Sequence, residues 1–364
     1  YVKVCDAYGA GFFYIPGSDT CLKIGGYVRA ELRTGDHDGV LGAPGMGLGW
    51  DRGENTLNTR ARFHLSFDAR TNTEMGLLRS YIELRVTNDS LGNGANPVDM
   101  RAAFIQFAGL TAGRAISNFD FVQGNYNFGN IVFDNAYSVV NQFAYTFAFG
   151  NGITATIAAE DHTTTDGQIP GILRPTNNVK MPDMIGNVAI AQAWGRAQLS
   201  VALHQVNLYA PPLFDQTAMG WAVGGGVEVN LPMLGAGDRA FFQAQYAKGA
   251  PRYALFQDAF AVPLEAVVLL PNDLKLSTAW SLTGGLKHNF SKTIEANLAA
   301  NYSSYADALV TNDYKAYQLA ADLRWKPAAG FYVGPGIEYR HIDFRGPGGT
   351  GSQWMGTLRL HRDF

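Results

Sequence analysis

A chain of 364 residues with a formal net charge of −3 carries no global pull toward nucleic acid or an anionic membrane surface. Its hydrophobic content is 47 %, yet no run of about 18 apolar residues exists, which excludes a spanning helix. Charged residues make up only 16 %, and 42 glycines with 12 % aromatics fit a transmembrane β-barrel, whose outward apolar and inward polar residues alternate.

Residues 1–20 mix Gly9, Gly11, Pro16 and Gly17 and read as a lead-in lying at or inside the periplasmic mouth. Cys5 and Cys21 are the only cysteines. A lone close pair points to a disulfide and to an oxidising compartment. The chain starts at Tyr1 without Met or an apolar signal segment, which reads as a processed mature protein.

From residue 21 onward a period of two takes over. In Leu22–Arg33 one face is Leu22, Ile24, Gly26, Val28, Ala30 and Leu32, and the other is Lys23, Gly25, Tyr27, Arg29, Glu31 and Arg33. Arg60–Arg70 repeats this, with Ala61, Phe63, Leu65, Phe67 and Ala69 set against Arg60, Arg62, His64, Ser66, Asp68 and Arg70. Such strands have one apolar and one polar face, and their length suits a membrane span better than a soluble sandwich. Fourteen further segments, from Gly76–Val86 to Gln353–Phe364, continue the pattern less cleanly and bring the predicted count to sixteen. Short connections rich in Gly, Asn, Asp and Pro alternate strictly with long ones, as in an up-and-down barrel with short periplasmic turns and long outer loops.

The third long connection, Ile116–Ser138, carries Asp120, Asp134, several aromatics and no clean alternation. A loop of this length predicts a task, and the expected one is to fold into the barrel and narrow a water-filled pore. The polar faces of the first strands present Arg29, Arg60, Arg62, Arg79 and Arg85, with Arg114 extending them just before the loop. Asp120 and Asp134 are expected opposite, so that opposed charges create a transverse field across the passage.

No Gly-x-Ser-x-Gly, His-Glu-x-x-His or P-loop occurs, and the seven histidines lack metal spacing. No catalysis, cofactor or metal is expected. Gly224-Gly225-Gly226 reads as a close-packed or curved patch of strand.

The two ends carry a resemblance. Tyr1-Val-Lys-Val-Cys-Asp-Ala-Tyr-Gly-Ala-Gly-Phe-Phe-Tyr-Ile-Pro-Gly17, followed by Cys21-Leu-Lys-Ile-x-Gly-Tyr-Val-Arg29, resembles the mature start of the alphaproteobacterial general porins. The ending Arg359-Leu-His-Arg-Asp-Phe364 resembles that family's last strand, and Phe364 is similar to the terminal-Phe signal read by the outer-membrane assembly machinery. The resemblance implies a sixteen-stranded homotrimer among outer-membrane lipids and lipopolysaccharide, passively passing small hydrophilic solutes past an inward third loop. The chain departs from that pattern in a sixth loop, Gly249–Leu276, that is unusually apolar. Two other readings stay open. One is a substrate-selective channel with a site on Tyr27, Tyr81 and Phe121. The other is an adhesin or receptor with a plugged barrel, which the long loop Thr34–Leu57 permits.

Overall fold

The computed structural model describes residues 3–39, 57–90, 96–121, 126–129, 133, 138–162, 180–210, 214–255, 264–269, 273–307, 313–345 and 349–364. Sixteen antiparallel strands make the wall. They are β1 (Cys21–Gly39), β2 (Leu57–Thr73), β3 (Gly76–Asp89), β4 (Val98–Phe107), β5 (Leu110–Ile116), β6 (Val139–Gly150), β7 (Ile153–Asp161) and β8 (Asp183–Gln192). β9 (Gly195–Ala210), β10 (Phe214–Asn230), β11 (Arg239–Lys248), β12 (Thr278–Asn289), β13 (Ile294–Ala306), β14 (Tyr314–Ala328), β15 (Phe331–Phe344) and β16 (Thr350–Asp363) follow. Each strand pairs with its chain neighbours, and β16 pairs with β1 from Gly351↔Gly39 to Asp363↔Tyr27, so the sheet closes. Closure satisfies every strand edge, which a sheet in lipid requires.

The barrel is inside-out relative to a soluble protein. Its exposed side chains are Ile24, Val28, Phe63, Ile82, Leu199, Leu298, Leu358 and many like them, whereas Glu31, Gln243, Gln318 and Arg340 are buried on the inward face. Each outward Leu, Ile or Val gains roughly 1.5–3 kcal/mol when lipid replaces water around it. This is the alternation read from the sequence.

Strand ends depart from the reading in an instructive way. β1 runs to Gly39 rather than Arg33, because Thr34–Gly39 pairs with Gly351–Gly356. β10 begins at Phe214 rather than Gly220, pairing up to Phe214↔Ala210. Ladder pairing continues past the apolar band, where nothing demands alternation. The turn after β4 is Ala108-Gly109, with φ of 48° and 90°, the left-handed pair that a two-residue hairpin takes.

At the lower mouth, Cys5 and Cys21 are joined by a disulfide. Phe13 and Tyr14 pair with Leu22 and Cys21 of β1, and the Arg70 guanidinium lies 4.9 Å from the Phe12 ring centre.

Candidate functional site: the lumen and its third loop

Polar side chains on one phase of every strand turn the interior of the barrel into an aqueous space, and the third loop enters it. Its two ends are stapled by the Ser117 N–H, which donates to the Ser138 carbonyl at 3.0 Å. Glu160 on β7 fixes the entry, accepting from the Ser117 hydroxyl at 2.6 Å and the Asn118 N–H at 2.7 Å. Beyond that root the loop follows the inner wall as a series of aromatic contacts. Phe119 sits over Gly224, where an added Cβ would come within 2.9 Å of the ring, and Phe121 lies closer still to Gly226. Tyr126 packs on Phe241 at 4.5 Å between ring centres, and Phe133 joins them against Ala299 and Ala320. Phe128 ends the path over Gly336, where a Cβ would lie 2.6 Å from its ring. The Arg359 guanidinium is 4.1 Å from the Phe128 ring centre and donates to its carbonyl at 2.8 Å. The loop thus touches the wall from β7 round to β16. The glycine patch of β10 is the close-packed surface expected of it.

Among the described residues no loop segment covers the inward faces of β1 and β2, and five of the sequence-predicted arginines lie on the inward faces of β1–β3. Arg60 makes a forked pair with Asp89 at 2.9 and 2.7 Å. Arg79 forks onto Asp68 at 2.8 and 3.0 Å, and Arg85 reaches Asp99 at 2.6 Å. Arg29 and Arg62 face each other across the β1–β2 ladder. Neither has a carboxylate partner among the described residues. Arg29 donates to His361 at 3.3 Å and lies over the Tyr27 ring; Arg62 donates to the Thr87 hydroxyl at 2.9 Å. A recess of about 350 Å³ opens between this wall and the loop root, lined by Tyr81, Glu83, Arg101, Gln106, Asn118 and Gln142 among others.

Three expected members of the site are not among them. Asp120 turns into the loop rather than toward the arginines: its carboxylate accepts the Ser138 N–H at 2.6 Å, and no cation among the described residues pairs with it. Burial raises its pKa to about 8, with the Ser138 hydrogen bond pulling the other way and Glu160 adding to the rise. Arg114 faces outward. It shares the phase of Leu110 and Ile116, pairs in register with Ala103 and Asn141, and donates to the Met100 carbonyl at 2.9 Å. The period of two holds within β5; nearness to the loop and to the arginine strands, not phase, is what suggests the lumen for Arg114. Asp134 lies outside the described residues, as does most of Thr34–Leu57. Phe121 is buried against Gly226 beneath Arg196, at 4.8 Å, and is no lumen-facing aromatic.

The reading of the first strands missed charges on the last ones. Arg359 pairs with Glu31 at 2.6 Å across the closing seam, and Arg324 pairs with Asp322 at 2.7 Å while its guanidinium lies 5.5 Å from the Phe128 ring centre. The signal was the same period of two in Tyr314–Lys326 and Gln353–Phe364, followed there for fold rather than for charge.

Comparison with known proteins places this geometry. The family model described as "Porin subfamily" matches residues 1–357. Porin Omp2b of Brucella canis is 29 % identical over 379 aligned positions, covering 100 % of this chain and 90 % of that one. Porin Omp2b of Brucella abortus (strain 2308) is similar to the same extent, at 29 %. Among solved structures, the outer membrane channel DcaP of Acinetobacter baumannii matches with a TM-score of 0.76 at 17 % identity, covering 96 % of this chain and 99 % of that one. An anion-selective porin from Comamonas acidovorans matches with a TM-score of 0.57 at 12 % identity, over 95 % and 100 %.

Proposed function

Since the chain belongs to the porin subfamily and is an outer-membrane channel, we propose that its selectivity is set by Arg29 and Arg62 on the wall of β1 and β2. The observation that carries this reading is their pairing across β1–β2 without a carboxylate among the described residues, while Arg60, Arg79 and Arg85 each reach a carboxylate, shared with Arg33, Arg70 and Arg101 respectively. Small hydrophilic solutes diffuse passively through the water between that wall and the third loop. Anions among them are favoured, because two adjacent uncompensated guanidiniums raise local anion concentration. A monovalent ion about 5 Å from one such charge in water gains roughly 0.8 kcal/mol, a factor of about four before screening. Among its described residues the third loop contributes shape and not opposing charge, with Asp120 turned away.

The test is the reversal potential under a salt gradient, in a planar bilayer. Arg62→Ala is expected to lower the anion-to-cation permeability ratio about two- to fourfold, and Arg62→Glu to lower it further. An unchanged ratio in both removes Arg62 from the pathway.

The working unit we infer is a homotrimer. Arg114 supports it: a guanidinium on the outward face of a barrel costs between about 0–1 kcal/mol near an interface and about 2–4 kcal/mol at mid-depth against lipid, so a neighbouring protein surface is the favourable setting. Ala30 and Gly356, on the outward faces of β1 and β16, permit close approach of another copy, while the Phe364 ring of the same chain lies over Gly26. Phe364, whose backbone pairs with Gly26 at 3.0 and 3.2 Å, lies on that same outer face and is read as the assembly signal. Lipid, lipopolysaccharide and the assembly machinery are the expected further partners.

A further inference from the structure

The sixth outer loop, between β11 and β12, is described at Gly249–Leu255, 264–269 and 273–277. Its arms lie against the inner wall. Ala254 and Leu255 are fully buried, as is Ala266, and Tyr253 and Leu264 are 4 % exposed. Beneath them runs a feature that an aqueous lumen does not explain. Ala158, Ile185, Ala202, Ala222, Ala247 and Ala279 are successive cross-strand partners from β7 to β12, all on the inward phase. Glu31, Gln243, Gln318 and Arg340 show how polar other inward positions are, so a continuous cross-strand row of small apolar side chains asks for an apolar cover. The loop arms and the row form one buried cluster.

A polar lock holds the arms on the row. Arg252 donates to Asp183 at 2.6 Å and the Tyr253 hydroxyl donates to the same carboxylate at 2.5 Å. His204 bridges Asp183 at 2.8 Å and Glu265 of the second arm at 3.3 Å. The Ser281 hydroxyl donates to the Ala254 carbonyl at 2.6 Å, and Tyr305 donates to the Leu264 carbonyl at 3.0 Å. Tyr253 also packs on Phe119 of the third loop, 4.7 Å between ring centres. The third loop occupies the level of Gly224, two residues below Ala222 on β10, so the two loops are stacked.

We propose that the sixth loop is a second inward constriction seated directly above the third, and that together they confine the aqueous path to the side of the arginine wall. This rests on the channel reading. It goes further in making the sixth loop a determinant of both pore size and selectivity: with it in place, ions pass within about one Debye length, roughly 8 Å at physiological salt, of Arg29 and Arg62.

The experiment compares wild type with a chain in which residues 251–275 are replaced by a short Gly-Ser turn, and with Arg252→Ala. The shortened loop is expected to raise single-channel conductance at least about 1.5-fold and to lower anion preference at the same time. Arg252→Ala is expected to move both in the same direction by less. Unchanged conductance and reversal potential in the shortened chain overturn the proposal, whereas a wild-type chain that inserts without conductance steps overturns the channel reading itself. Should the shortened chain fail to assemble, Ala254→Cys and Leu255→Cys decide the matter. The native cysteines are disulfide-bonded and silent. Resistance of both new thiols to a charged thiol reagent in the folded channel supports the docked loop, and rapid modification overturns it.

Discussion

Asp120 shows how much one side chain's surroundings decide. A loop carboxylate facing an arginine wall would stay ionised, yet this one accepts a backbone N–H inside the loop and its pKa rises from 3.8 to about 8. The folded state therefore holds the proton more tightly than the unfolded chain does. Its contribution to stability is fully present below about pH 4 and is lost as pH rises through about 8. Asp120→Asn keeps an oxygen for the Ser138 N–H and removes the titration. The variant should lose less thermal stability than wild type between pH 5 and pH 9, with its reversal potential unchanged at pH 6. Melting curves at the two pH values check the first part; an altered potential would return Asp120 to the pore. Arg29 and Arg62 were legible in the sequence because they fall on the polar phase of an unbroken period of two. Asp120 was not, because a loop has no phase and its carboxylate can turn to protein as readily as to water. Arg114 differs for a third reason: its own phase, shared with Leu110 and Ile116, already points outward, and only its nearness to the loop suggests the lumen.

At the scale of elements, the strands were legible throughout, since membrane-spanning pairs leave a local and repeated mark. The seats of the loops were not. Gly224 and Gly226 read as a close-packed or curved patch without showing what packs on it, and Gly336 carries no mark at all; their partners Phe119, Phe121 and Phe128 are distant in the chain. The alanine row of β7–β12 is spread over more than a hundred residues, one per strand, and so leaves no local signature. These seats are testable. Gly336→Ala places a methyl 2.6 Å from the Phe128 ring, against a wall that cannot yield. Overpacking of this kind costs about 1–3 kcal/mol. Lower thermal stability and noisier open-channel current are the expected results, and a quiet current of wild-type size would mean that the loop tip relaxes freely. The Cys5–Cys21 bond constrains a separation of 16 residues at the lower mouth, far from the loops. Cys5→Ser with Cys21→Ser should cost roughly 3 kcal/mol of stability in the chain-entropy model and leave conductance unaltered.

For the molecule as a whole, the distribution of polarity is the dominant fact: greasy outside, charged within, with one lining wall basic and the other padded by loops. Arg114 on the outward face is one exception and supplies a test. Arg114→Leu relieves a charge if β5 meets lipid, and then the assembled form should survive heating at least as well as wild type. If β5 meets a second copy, the assembled form should dissociate at a lower temperature on a semi-native gel, and conductance steps in threes should become steps of one.

The seam between β16 and β1 also imposes an order in time. Glu31 and Arg359, which meet there, are separated by 328 positions along the chain. The first strand of the barrel is thus neighbour to its last, and until that last strand arrives the sheet has two raw edges with unspent hydrogen bonds. Such a chain cannot complete its fold piecemeal while it is being synthesised. It has to be kept from premature self-pairing and delivered whole, and its final ladder is formed only when the oldest and the youngest segments find each other.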